Sequence, residues 1–170
     1  EDPLLAMTLG NMAATLAELG RYEQARQLYA RSLELYSKEH GAEHPYVALS
    51  LHEIASLNAM QGEHQQAEAL YARSIESFGQ TLGPEHPCVA RGMGGLADLL
   101  TTQDRDAEAG PLFERALALL EQRLGAEHPD VASLLDRMAR LAEKRGRDAE
   151  ASEHRERAQA IRTAWRQRWA

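Results

Sequence analysis

The sequence predicts an all-α solenoid, an alpha-alpha superhelix built from four helix-turn-helix repeats. Prolines recur every 42 residues along the chain, at Pro3, Pro45, Pro87 and Pro129. The last three follow a Glu-His pair, and a glycine stands four residues before each of them. Four units of 42 residues make 168, and the first two residues complete the 170. We therefore expect one array over residues 1–170, with repeats 3–44, 45–86, 87–128 and 129–170.

Each unit carries two apolar stripes with helical spacing. The first stripe of the first unit is Leu5, Leu9, Met12, Ala13 and Leu16, which share one face of an α-helix. A proline opens each first helix, where its missing N–H breaks no bond. We expect the turn inside each unit at Gly20, Gly62, Asp104 and Gly146. We expect a left-handed glycine to stop the second helices at Gly41, Gly83 and Gly125.

Two positions hold alanine in all four units, which indicates that paired helices cross closely there. They are Ala13, Ala55, Ala97 and Ala139 in the first helices, and Ala25, Ala67, Ala109 and Ala151 in the second. A single hairpin cannot bury its apolar stripes, whereas stacked hairpins can. Stacking therefore predicts a concave inner face.

The last helix differs from the other second helices. It carries polar residues where the first unit has Leu28, Tyr29, Leu33 and Tyr36, namely His154, Arg155, Gln159 and Arg162. A polar outer face is typical of a C-terminal capping helix. No glycine stops this helix, so we expect it to run to the chain end. Trp165 and Trp169 share one face there, either packed on the body or docking a partner.

Composition excludes several classes of protein. The net charge of -7 argues against nucleic-acid binding, which needs a basic surface. No apolar run approaches the roughly 18 residues that span a membrane. The single cysteine, Cys88, excludes an intrachain disulfide framework. With no signal peptide in the sequence, we expect a cytoplasmic protein.

No residue pattern predicts catalysis, a metal or a cofactor. The junction histidines His44, His86 and His128 belong to successive repeats. Equivalent positions of stacked hairpins are roughly 16–20 Å apart, so these histidines are too far from one another to bind one metal ion. The His52-Glu53 pair lacks the second histidine of a zinc-protease motif. The glycine-rich run 91–95 follows no strand, so we interpret it as close packing or, alternatively, as clearance for a ligand backbone.

The repeated pattern resembles a known family, the tetratricopeptide repeat (TPR). The matching positions are Leu9, Ala13, Gly20, Tyr22, Ala25, Tyr29 and Ser32. The long period and the Gly-x-Glu-His-Pro junction resemble the kinesin light chain subtype. This resemblance implies a protein-interaction scaffold or adaptor that is not an enzyme and binds a peptide or partner helix in its concave groove. The subtype carries an Asn pair in that groove, of which only Asn11 is present here.

The resemblance also indicates which residues would line the groove, because first helices line it in TPR arrays. The predicted peptide- or partner-binding residues are Asn11, His52, Glu53, Arg91, Asp98, Arg137, Arg140 and Lys144. The last three make the far end basic, so we expect a protein or peptide partner with acidic residues there.

The first repeat opens with an apolar edge of Leu4, Leu5, Met7 and Leu9. An uncapped apolar edge invites stacking, so we expect either further repeats upstream or a homodimer through this N-terminal edge. Two further functions therefore stay open beside the adaptor. One is a module for end-to-end self-assembly, and the other is a regulatory segment of a larger signalling protein.

Overall fold

The structure, a computed structural model, describes residues 3–168 and forms eight α-helices over that range, with no strand. The helices are α1 (Pro3–Glu18), α2 (Tyr22–His40), α3 (Pro45–Met60), α4 (His64–Leu82), α5 (Pro87–Thr102), α6 (Asp106–Leu124), α7 (Pro129–Lys144) and α8 (Asp148–Arg168). Consecutive pairs form four hairpins, so the all-α class and the two-helix unit are confirmed.

The chain divides into two compact units. Unit 1 (Glu1–Pro84) contains α1 to α4, and unit 2 (Glu85–Ala170) contains α5 to α8. Within unit 1, α2 also packs against α3, and within unit 2, α6 packs against α7. Hairpin stacking is thus present inside each unit, while a single array over 1–170 stays a prediction.

The junction histidines cap the helices that follow them. Each stands in extended conformation directly before the proline that opens α3, α5 or α7. The backbone N–H two residues later donates to the histidine Nδ1, at 3.3 Å for His44, 3.2 Å for His86 and 3.1 Å for His128. The bond satisfies an N–H that a helix N-terminus leaves without a partner. The three junction histidines therefore have a structural role at the starts of α3, α5 and α7.

The turns inside the four hairpins lie where the sequence predicted them. Their central residues have positive φ, of 73° at Gly20, 78° at Gly62, 59° at Asp104 and 69° at Gly146. Aspartate is one of the few residues with a side chain that enters this region readily. Asp104 can therefore replace glycine without changing the hairpin.

The glycines that end the second helices differ from the prediction. Their φ angles are positive, at 88°, 96° and 90° for Gly41, Gly83 and Gly125. Their ψ angles, however, are 162°, 149° and 151°. This is an extended region that is essentially restricted to glycine, not the left-handed helical one. The chain is therefore straightened here, towards the extended histidine cap three residues later.

The alanines that the sequence predicts at the helix crossings are buried, and Ala13 with Ala25 and Ala139 with Ala151 belong to common apolar clusters. Ala13, Ala25 and Ala67 have no exposed surface, and the same holds for the equivalent alanines of unit 2 except Ala151, at 1%. In unit 1 a buried serine adds a bond between paired helices, from Ser32 Oγ to Ala6 O at 2.7 Å and from Ser74 Oγ to Ala48 O at 2.9 Å. The buried alanines are thus common to both units.

An arginine braces the two hairpins of unit 1. Arg26 of α2 donates to Asn58 Oδ1 at 3.2 Å, to Glu63 Oε1 at 2.9 Å and to the side chain of Gln61. All three acceptors lie at the end of α3 or in the turn after it. The brace therefore runs from the first hairpin to the second.

In unit 2 the brace runs in the opposite direction. Gly110 occupies the position of Arg26, and Arg145 occupies that of Gln61, each 84 residues later. Arg145 reaches back to α6 and donates to the backbone carbonyl of Asp106. Its guanidinium lies over Gly110, where an added Cβ would be 3.4 Å from Nη1. The arginine is thus supplied by the second hairpin, and glycine makes room for it in the first.

Candidate partner-binding surfaces

The predicted groove residues belong to both units. Unit 1 contains Asn11, His52 and Glu53. Unit 2 contains the remaining five, namely Arg91, Asp98, Arg137, Arg140 and Lys144. Each set is therefore a separate candidate surface.

The structure does not place all three predicted residues of unit 1 on the surface. Asn11 is exposed and Glu53 is half-buried, whereas His52 is only 8% exposed. The His52 ring meets the ring of Tyr71 edge-on, with 5.2 Å between centroids. His52 is thus turned towards α4 and contributes to packing, which corrects its assignment to the open face of α3.

Asp98 and Arg137 form an ion pair between α5 and α7 in unit 2. Arg137 Nε donates to Asp98 Oδ2 at 2.7 Å, and Arg140 Nη2 lies 3.8 Å from the other oxygen of the same carboxylate. The Arg137 guanidinium carbon lies 5.8 Å from the centre of the Phe113 ring, within cation–π range. Arg137 is therefore held by a carboxylate and by an aromatic face together.

Gly94 makes this position of Arg137 possible. A Cβ built on Gly94 would lie 2.7 Å from Arg137 Nη1 and 3.1 Å from its guanidinium carbon. A side chain at position 94 would therefore displace the guanidinium. The glycine-rich run of α5 is thus explained at Gly94 by close packing of an arginine of the same chain.

Lys144 forms ion pairs with two aspartates at the α5–α6 turn. Its Nζ lies 2.7 Å from Asp104 Oδ1 and 3.1 Å from Asp106 Oδ1, and it also donates to the backbone carbonyl of Thr101. These bonds raise the pKa of Lys144 above its usual value, with Asp104 the larger influence. The basic end predicted from the sequence is therefore largely neutralised within unit 2, and the Arg140 side chain, 61% exposed, is its most accessible cation.

A pocket of about 290 Å³ lies between the N-terminal parts of α5 and α7. Its apolar lining includes Ala90, Leu120 and Leu134, and its polar lining includes Arg91, Asp130, Ser133 and Arg137. Cys88 also lines it, and burial raises the pKa of the Cys88 thiol, while nearby Arg91 acts to lower that pKa. The pocket combines an apolar wall with two arginines and one aspartate, so it can contact a side chain that has both aliphatic and charged parts.

Sequence reasoning missed Ser133 and Leu134 of this pocket. Ser133 stands 42 residues after Arg91, so the two occupy equivalent positions on neighbouring first helices. Comparing equivalent positions would have identified Ser133. It would not have identified Leu120, which enters from α6.

The last helix has the polar character that the sequence predicted. Its buried residues are Ala151, Ala158 and Ile161, and it extends to Arg168 at the end of the described range. Trp165 is half-buried and meets the ring of His128 edge-on, with 5.5 Å between centroids. The Trp165 ring is therefore packed on unit 2, and Trp169 lies outside the described residues.

Within residues 3–168 no group of three or more His, Cys, Asp and Glu side chains is arranged to hold a metal ion. Over the same range no helix is both long and apolar enough to cross a membrane.

Comparison with known proteins agrees with the helical repeat. The tetratricopeptide repeat family model matches residues 4–80, 52–122 and 95–164. Among solved structures, BtubC (BKLC) from P. vanneervenii has a TM-score of 0.78 and 24% identity, and the alignment covers 98% of this chain and 66% of that one. A putative kinesin light chain from Podosopora anserina, with nearly identical TPR-like repeats, has a TM-score of 0.76 and 26% identity, with coverage of 96% and 78%.

A third solved structure shows the same fold at lower identity. Aspartyl phosphate phosphatase F from Bacillus subtilis has a TM-score of 0.79 and 16% identity, covering 96% of this chain and 42% of that one. No curated protein sequence matches significantly. The matches confirm the predicted fold class and the kinesin light chain-like type of the repeat.

Proposed function

Because this chain belongs to the tetratricopeptide repeat family, it is in general terms a protein–protein interaction scaffold, and we propose that it binds a peptide or helix of its partner along α5 and α7. The repeat fold is generally a non-enzymatic scaffold, and we propose the same for this chain. The observation that carries the proposal is the pocket between α5 and α7, with its apolar wall and two arginines.

The fixed position of Arg137 supports recognition of an acidic side chain. A guanidinium that is already held by Asp98, Phe113 and the space over Gly94 loses little freedom when it binds a carboxylate. Arginine is suited to this because its planar fork can donate two parallel bonds to a carboxylate. Leu120 and Leu134 would contact the aliphatic part of the bound segment.

The charge of this surface sets how strong the attraction can be. Arg91, Arg137 and Arg140 supply three positive charges, and Asp98 and Asp130 supply two negative ones, which leaves +1. The chain as a whole carries -7. We therefore expect short-range pairing of charges at the pocket, without long-range steering of an acidic partner.

Unit 1 would contribute to partner binding in a different way from unit 2. Its exposed first-helix residues include Asn11 and Glu18, and Glu53 is half-buried. An exposed amide can bond the backbone of an extended segment, whereas two carboxylates disfavour an acidic one. The acidic part of a partner would therefore bind unit 2.

The test uses fluorescence anisotropy with short labelled peptides that contain Glu-Leu, and with Lys-Leu peptides as matched controls. We expect the Glu-Leu peptides to bind more tightly. Arg91→Ala and Arg140→Ala should each weaken that binding by about 1 kcal/mol, or about fivefold, as for partly exposed ion pairs. Arg115→Ala, an exposed arginine on α6, is the matched control and should change nothing.

Two results would contradict the proposal. Equal binding of the Glu-Leu and Lys-Leu peptides would show that the arginines do not select the ligand. Unchanged binding in Arg91→Ala and Arg140→Ala, with loss in Trp165→Ala, would move the site to α8. Circular dichroism of each variant separates loss of binding from loss of fold.

A further inference from the structure

Histidines cap both of the helices whose N-terminal parts line the pocket of unit 2. The Cys88 N–H donates to His86 Nδ1 at the start of α5, and the Asp130 N–H donates to His128 Nδ1 at the start of α7. Cys88 and Asp130 themselves line the pocket. Histidine is the residue that ordinarily gains a proton between about pH 8 and pH 5. Two titratable groups therefore lie two residues from the pocket wall.

Either cap needs a neutral imidazole. The Nδ1 atom accepts an N–H through its lone pair, and a protonated imidazole carries a proton on both nitrogens. Protonation therefore breaks the capping bond. It also places a positive charge at a helix N-terminus, where the helix dipole disfavours it. A protonated cap thus loses stability unless a nearby carboxylate compensates.

Asp130 supplies such a carboxylate to His128. Its Oδ2 atom lies 3.7 Å from the same Nδ1 atom that accepts the Asp130 N–H. A small rotation of a protonated imidazole would bring the two atoms within hydrogen-bond distance. At the start of α5 the equivalent residue is Cys88, whose thiol carries no charge. The two caps that flank the pocket therefore differ in what a proton can do there.

The other charged side chains on the elements around His128 already have partners in the structure. The ion pairs join the loop before α7 and the helices α6 and α7 to their neighbours, and they are Glu127 with Arg168, Glu121 with Arg157, Glu85 with Arg123 and Asp136 with Arg162. Arg166 of α8 donates to the backbone carbonyl of Arg162. From α5, Arg91 lines the pocket itself. A proton on His128 therefore acts mainly on the Asp130 carboxylate.

We propose that His128 makes the affinity of the pocket for an acidic partner depend on pH, an inference that rests on the proposed function of this pocket. With a neutral imidazole, the three arginines and two aspartates of this surface leave +1. When His128 gains a proton it pairs with Asp130, and the sum becomes +2. The Asp130 side chain is 62% exposed, so solvent screens much of this change and we expect about a threefold gain in affinity.

Fluorescence anisotropy with rhodamine-labelled Glu-Leu peptides at about pH 7.5 and about pH 5.5 tests the proposal. The peptide carboxylates stay ionised over this range. We expect binding about threefold tighter at the lower pH, and weaker binding of the Lys-Leu peptides there. His128→Asn keeps a capping acceptor that does not titrate, so it should remove the gain. His86→Asn, the matched change at the start of α5, should leave the gain in place.

The free chain gives a readout that needs no peptide. The NMR shift of the Asp130 amide proton should change between the same two pH values, because this N–H loses its acceptor, and it should stay constant in His128→Asn. The shift of the Cys88 amide should change less.

Three results would overturn the proposal. One is an Asp130 amide that does not respond to pH, and another is a gain in Glu-Leu affinity that persists in His128→Asn. The third is a Glu-Leu affinity that is the same at both pH values. If that third result comes with a preference over Lys-Leu, the proposed function survives and the pH dependence alone is wrong. Equal binding of both peptides at both pH values contradicts the proposed function as well.

Discussion

Replacing Gly94 by alanine tests whether the Arg137 guanidinium is fixed in its place. In a helix interior, exchange of glycine for alanine stabilises the fold by about 1 kcal/mol. At Gly94 the added Cβ would lie 2.7 Å from Arg137 Nη1, so the guanidinium must move and weaken its bond to Asp98. For a pair whose side chains are 22% and 41% exposed, that loss is about 1 kcal/mol. Gain and loss are equal in size, and we expect no net change in the free energy of unfolding.

Two matched variants separate these effects. Gly10 stands at the equivalent position of unit 1, and its added Cβ would meet only Ser32 Oγ, at an ordinary 3.7 Å. Gly10→Ala should therefore give the full gain of about 1 kcal/mol. Gly94→Ala should give a similar gain once Arg137→Ala has removed the guanidinium. The coupling between positions 94 and 137 is then about 1 kcal/mol in a double-mutant cycle.

Urea unfolding followed by circular dichroism measures these differences, provided that the slope of the free energy against urea stays the same in all variants. Two outcomes would refute the reasoning. One is that Gly94→Ala stabilises the wild-type chain as much as Gly10→Ala does. The other is that Gly94→Ala has the same effect with and without Arg137. Either result would show that Arg137 moves aside at no cost, and it would remove the argument that the pocket contains a pre-positioned guanidinium.

Two further predictions concern the brace and the thiol. Gly110→Arg should bring two guanidinium groups together at Arg145 and lower Tm by several degrees. Adding Arg145→Gln removes that repulsion and should recover only part of the loss, because Ala142 and Arg147 stand where unit 1 has two acceptors of Arg26, Asn58 and Glu63. A double variant no more stable in thermal unfolding than Gly110→Arg alone would contradict this. Burial raises the pKa of Cys88, while Arg91 acts to lower it. Alkylation of Cys88 should therefore begin at higher pH than that of a free cysteine, and at still higher pH in Arg91→Ala. An alkylation rate whose midpoint in pH lies at or below the ordinary pKa of cysteine would contradict this.

The helices were predictable because the features that define them are local and repeated. A proline at a helix start and a glycine or Asp104 at positive φ act on the backbone within a few residues, whatever the rest of the chain does. The 42-residue spacing then places these signals in phase. The ψ angle of Gly41 was not predictable in the same way, because positive φ is compatible with both a left-handed and an extended glycine.

The pairing of charges was not predictable from helical phase. Phase identifies the face on which Arg137 and Lys144 lie, but the acceptors come from α5 and from the α5–α6 turn, in the neighbouring hairpin. Which carboxylate is within reach depends on the separation of two helices and on side-chain rotamers. For this reason the sequence predicted an open basic end, while the structure shows Asp98 and Asp104 already bonded to it. His52 differs for a similar reason, since its neighbour Tyr71 belongs to α4.

The hairpins of the two units pack through different side chains at equivalent positions, and this explains why the surfaces of the two units differ. In unit 2 the arginines Arg137 and Arg145 of the second hairpin each lie over a glycine of the first. At the positions equivalent to those two arginines, unit 1 has Glu53 and Gln61 instead. Gly94 and Gly110 leave the space that the guanidinium groups of Arg137 and Arg145 occupy. The position of Arg137 in the cationic pocket is therefore a consequence of how the hairpins of unit 2 pack, and Gly94→Ala should weaken ligand binding while leaving the free energy of unfolding almost unchanged. A substitution at Gly10, which faces no arginine, should alter stability alone.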